Sequence, residues 1–119
     1  MPETDRRKYP RINISSGVDY VCLDDKHQKI EEGKGRVLNI SQGGALMETP
    51  NVINSKYIVI VTIDLEGNTI KLRGKIIHTR KSDPSGAALT GIQFLEPYDT
   101  QREIIAKFIR AHYYRGKIA

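Results

Sequence analysis

The stretch YIVIVTIDLEGNTIKLRGKIIHT, residues 57–79, decides the fold. Tyr57 to Leu65 is almost entirely β-branched or apolar, and Glu66-Gly67-Asn68 interrupts it with turn residues. From Thr69 to Thr79 the pattern alternates. Ile70, Leu72, Gly74, Ile76 and His78 fall on one face, and Lys71, Arg73 and Lys75 on the other. A period of two places successive side chains on opposite sides of a strand. The two runs therefore form a hairpin around Gly67-Asn68.

Outward from this hairpin the same texture continues. Val18 to Leu23 is a short apolar-rich run closed by the polar cluster Asp24 to Gln28. Arg36 to Ile40 is a second, stopped by Ser41-Gln42-Gly43-Gly44; Ala45 to Glu48 is a third, ended by Pro50-Asn51. After the loop 82–86, Thr90 to Leu95 makes a last strand. Six short strands separated by turns predict an antiparallel barrel rather than a βαβ fold. The end of the chain changes period. Thr100-Gln101-Arg102-Glu103 matches a capping box, and Ile104, Ile105, Phe108, Ile109 and Ala111-His112 follow on one helical stripe. Gly116 is a stop signal. The expectation is an all-β domain with one C-terminal helix: an arm over 1–12, a barrel over 13–98, and a helix over 100–115 that covers an open mouth or face.

Composition narrows the classes. In 119 residues there is room for one core, and no run approaches the roughly 18 apolar residues of a membrane span. The polar start lacks the apolar core of a secretory signal, so the expected compartment is the cytoplasm, with no membrane insertion. A single cysteine, Cys22, cannot form an internal disulfide or build a metal site alone. The net charge of +5 sits at the ends. Residues 1–11 carry Arg6, Arg7, Lys8 and Arg11 against Glu3 and Asp5; residues 102–117 carry five cations against Glu103. Basic ends suggest an anionic partner met there, although the usual charge pattern of a helix C-terminus accounts for part of the second cluster.

Two segments can carry recognition chemistry. Arg6-Arg7-Lys8-Tyr9-Pro10-Arg11 has neither helical nor strand period. Guanidinium forks suit phosphate oxygens and pair bidentately with guanine O6 and N7, and Pro10 stiffens the backbone before Arg11. Alone, the cluster also fits a solvated basic tail. Asn39-Ile40-Ser41-Gln42-Gly43-Gly44 ends a strand; Asn39 and Ser41 point the same way if the strand continues to Ser41, and Gly43 and Gly44 permit close approach. Alone, it also fits an ordinary hairpin turn.

Taken together, the pair resembles the PilZ family. Arg7-Lys8-Tyr9-Pro10-Arg11 fits RxxxR, Asn39 to Gly44 fits (D/N)xSxxG, and Gly91-Ile92-Gln93-Phe94 is similar to that family's late GxxF strand. The resemblance covers essentially residues 5–114 and implies a six-stranded, split-barrel-like receptor domain for cyclic di-GMP. It assigns Arg7 and Arg11 to guanine edges and phosphates, and Asn39 and Ser41 to guanine from the barrel side, with Gly44 allowing close approach. An arginine at Arg6 goes with two intercalated ligand molecules. His78 falls where the family places a bulky residue against guanine; a core position beside Ile76 is the other reading.

The functional expectation is a non-enzymatic adaptor whose arm orders when cyclic di-GMP binds and which signals to a separate, unidentified effector protein. No cofactor is expected. A PilZ-like domain acting by protein contacts alone is the alternative. A small nucleic-acid-binding barrel is suggested by the pI of 9.4, but the barrel has few aromatics for base stacking, so no nucleic acid is expected. No nucleophile–base pair, carboxylate pair, Walker loop or metal-ligand spacing points to an enzyme.

Overall fold

The computed structural model describes residues 11–53, 58–81, 86–95 and 99–118, with side chains described up to His112 in the last segment. Six strands and one helix follow in order: β1 (Ile12–Leu23), β2 (Lys29–Ile40), β3 (Gly44–Thr49), β4 (Ile58–Leu65), β5 (Asn68–Lys81), β6 (Ala88–Phe94) and α1 (Asp99–Ile118). The strands close into a barrel in the order β1-β2-β3-β6-β5-β4, with β4 antiparallel to β1. Closure leaves each strand with two partners and removes the exposed edge that invites aggregation.

The deciding hairpin forms one residue earlier than the sequence suggests. Leu65 pairs with Asn68, so Glu66-Gly67 is the two-residue loop. Both residues have positive φ, 51° and 94°, as a type I′ turn demands. The Gly67 N–H donates to Asp64 Oδ1 at 3.3 Å.

The alternation of β5 holds through Ile76 and then breaks. Ile76 pairs with Ile92 while His78 pairs with Gly91, a bulge that adds Ile77 to the strand. Ile77 is 53% exposed. His78 is thereby exposed on the outer face, which corrects its placement on the core face beside Ile76. Thr79 turns inward in its place, its Oγ1 3.0 Å from Thr90 Oγ1.

Two strands begin six or seven residues earlier than expected. β1 starts at Ile12 rather than Val18, so Ile12 belongs to the barrel and not to the arm; β2 starts at Lys29 rather than Arg36. Inward residues of all six strands, among them Tyr20, Val37, Met47, Val61, Leu72 and Ile92, make the core. β5 outruns β6, because their pairing ends at Gly74 and Phe94. The overhang is met by Leu95 N–H donating to Arg73 O at 2.9 Å and by Gln101 Nε2 donating to Lys71 O at 3.5 Å. There α1 lowers Ile105, Phe108 and Ile109 into the core. The helix starts at Asp99, so Thr100 lies inside its first turn instead of capping it, and it continues past Gly116 to Ile118. Ala111 is exposed rather than on the buried stripe. No helix among the described residues is long and apolar enough to cross a membrane.

Candidate functional site

Arg11 and Asn39 are 28 positions apart in sequence and meet at one rim of the barrel. Arg11 Nη1 donates to Asn39 Oδ1 at 2.9 Å. The approach is set by strand pairing: Asn13 stands opposite Asn39 and Ile12 opposite Ile40, so β1 delivers Arg11 to the end of β2. Register shifts near Ser16 on β1 and Leu38 on β2 reshape the pairing before this point. Two extra twists there re-aim the strand ends.

Ser41 does something different. β2 ends at Ile40, so the condition for Asn39 and Ser41 to share a face is not met. The Ser41 hydroxyl is buried beneath the turn and accepts from the N–H groups of Gly43 and Gly44 at 3.1 and 3.2 Å. The Ser41 N–H donates to Gly44 O at 2.8 Å, and Gly43 O accepts from Phe94 N–H at 2.9 Å. The serine shapes the turn that presents Asn39. Gly44 is closed off as well: a Cβ there would strike the carbonyl oxygen of Ile92, so the position brings β3 against β6.

A cross-strand row leads away from Asn39 on the outer face. Asn39 stands opposite Leu46, Leu46 opposite Gly91, and Gly91 opposite His78. The His78 imidazole fills the space a Cβ on Gly91 would need, with Cε1 only 2.7 Å from that position. Only glycine lets the ring lie down across the sheet. The next row runs Arg36, Glu48, Leu89, Arg80, with both arginines exposed. The outer face of β2-β3-β6-β5 thus offers an amide, a leucine and an imidazole laid across Gly91, all in line, with two guanidinium groups beside them.

Arg11, Asn39 and His78 are brought onto this face; Ser41, Gly43 and Gly44 form the turn at its corner. Arg6 and Arg7, with the rest of the expected arm up to Pro10, lie outside the described residues. Asn13, Leu46, Arg36 and Arg80 join the face without having been read as site residues. The signal for Asn13 was present, since Ile12-Asn13-Ile14-Ser15 alternates; the others become neighbours only through strand order. Cys22 stands apart in the core, and burial, helped by the Glu31 charge, pushes its thiol up to about 11. Among the described residues no group of three His, Cys, Asp or Glu side chains could hold a metal ion.

Fold and site together define the class: a closed antiparallel barrel lidded by one C-terminal helix, with the arginine just before its first strand set against the end of the second. The PilZ domain model matches residues 5–111, and the chain belongs to that family. The fold is similar to that of the Bacillus subtilis inhibitor of motility MotI/DgrA, with a TM-score of 0.72 at 17% identity over 96% of this chain and 56% of that one. The PilZ domain of YcgR from Escherichia coli, solved with c-di-GMP, aligns with a TM-score of 0.63 at 14% identity over 96% of this chain and 99% of that one. The MrkH–c-di-GMP complex of K. pneumonia gives 0.68 at 14% identity over 94% and 54%. The chain thus spans little more than half the length of MotI and MrkH. Comparison with curated proteins returned no match.

Proposed function

We propose that this PilZ domain is a receptor for cyclic di-GMP and acts as an adaptor rather than a catalyst. The single observation that carries the reading is the 2.9 Å hydrogen bond from Arg11 to Asn39, which unites the ends of the two sequence motifs at one rim. The dinucleotide lies along the outer row from Asn39 to His78. Arg7 and Arg11 take guanine edges and phosphates, Asn39 receives guanine from the barrel side, and His78 stacks on a base over Gly91. Ser41, Gly43 and Gly44 hold the turn that allows the approach. Arg6 adds a further guanidinium, which suits a second, intercalated ligand molecule. Residues 1–10 fold over the rim when ligand binds, and the altered surface is read by a separate effector protein. Solved PilZ structures carrying this ligand support the assignment of ligand class.

Calorimetric titration of cyclic di-GMP into the full chain tests it, reading affinity and molar ratio together. Each bidentate arginine–guanine contact is worth about 1–3 kcal/mol, so Arg7→Ala and Arg11→Ala should each weaken binding roughly 10- to 100-fold. Unchanged affinity in both variants would rule the mechanism out.

A further inference from the structure

The barrel carries a second ordered face, away from the row described above. Asp19, Val21 and Leu23 of β1 stand opposite Thr62, Ile60 and Ile58 of β4. Those three stand opposite Lys71, Arg73 and Lys75 of β5. All nine share the outward phase, because the alternating residues between them, such as Tyr20, Val61 and Leu72, are buried. The centre is a block of four aliphatic side chains, Val21, Leu23, Ile58 and Ile60, partly open to solvent. Along one border run three exposed cations, none of which forms an ion pair with a described residue.

We propose that this β1-β4-β5 face docks a partner protein through an acidic amphipathic helix, with its apolar stripe on the four aliphatics and its carboxylates along the β5 border. The dimensions fit. Alternate strand residues are about 7 Å apart and neighbouring strands about 5 Å apart, so the block matches the footprint of apolar side chains one helical turn apart. The cation column is about 14 Å long, within reach of carboxylates spaced at one-turn intervals on one helix flank. Charge selects the occupant: a border of one sign favours a partner of the opposite sign and disfavours basic helices. None of the nine residues is aromatic, so the face offers nucleic acid bases nothing to stack on. The nine are also distinct from the residues assigned to the dinucleotide, so this inference stands even if that ligand is wrong.

The test uses a synthetic helical peptide with leucines at i and i+4 and glutamates along one flank, titrated into the isotope-labelled full chain. Amide shifts should concentrate at Val21, Leu23, Ile58, Ile60 and Arg73. Replacing the glutamates by lysines should weaken binding at least about tenfold, as should the combined Lys71→Gln, Arg73→Gln, Lys75→Gln variant, while Lys107→Gln on α1 leaves it unchanged. The peptide swap is made on the unaltered protein, so the outcome holds even if the triple variant folds poorly. Shifts centred elsewhere overturn the proposal, as does equal affinity for the lysine peptide. Self-association through this face, or tighter binding of single-stranded RNA or anionic vesicles than of the acidic peptide, would overturn it too.

Discussion

Asn39 presents an amide where aspartate is the other permitted residue of the motif, and the choice has a physical consequence at the rim. Its one acceptor oxygen, Oδ1, is already engaged by Arg11. A guanine donor edge must share that oxygen or displace the guanidinium. A carboxylate has two oxygens, so Asn39→Asp can hold Arg11 with one and receive the base with the other. The pair is exposed, which limits the gain to roughly 0.2–1 kcal/mol, or a few-fold in affinity. Calorimetry should therefore find the aspartate variant modestly tighter for cyclic di-GMP; a clearly weaker variant would contradict this account of the rim. The Asn39–Arg11 pairing was legible as two motifs, because residue types at fixed spacing carry that chemistry. The retreat of Ser41 beneath its turn was not, since Asn39-x-Ser41 spacing reads the same whether the strand continues or stops.

Elements were legible in proportion to how local their signals are. The β4-β5 hairpin was visible because alternation and a glycine turn sit in one continuous stretch, yet its loop shifted by a residue because Glu66 accepts a positive φ that asparagine takes more readily. The first half of β2, Lys29 to Gly35, has no apolar period. It is held by its partners instead: Gly33 leaves room for the Tyr20 ring, and Gly35 lets the carbonyl of Glu48 come close. The bulge at Ile77 was invisible, since an added residue changes phase without changing composition. The C-terminal helix was read from its stripe, and its task follows from the overhang of β5. If the helix closes the core, Ile105→Ala, at a fully buried position, should cost about 2–5 kcal/mol, while Glu103→Ala on its exposed side stays within about 0.5 kcal/mol. Urea unfolding of both variants decides the matter. An Ile105→Ala loss below about 1 kcal/mol would mean that the helix only decorates the barrel.

At the scale of the molecule, the order β1-β2-β3-β6-β5-β4 could not be read from the chain, because β3 joins β6 and β4 joins β1 by contacts distant in sequence. The closure has a consequence for pH. It seals Cys22 on the inner face, fully buried, opposite Glu31 of β2. Burial first, and the Glu31 charge second, raise the thiol from 9.0 to about 11. Below pH 9 the thiol is protonated whether the chain is folded or not, and stability does not depend on it. Between pH 9 and 11 the unfolded chain releases the proton while the folded barrel retains it, so stability falls as pH rises. The loss from this group is roughly 1–2 kcal/mol by pH 11, allowing for relaxation around the thiolate. Tyr20, also raised by burial first, adds to the decline above pH 10. Cys22→Ala should lower stability at pH 8 through the cavity it leaves, yet lose less between pH 8 and 10.5 than the parent does. Urea midpoints for both proteins at those two pH values measure the difference, and parallel losses would show that the thiol is not sealed inside the barrel.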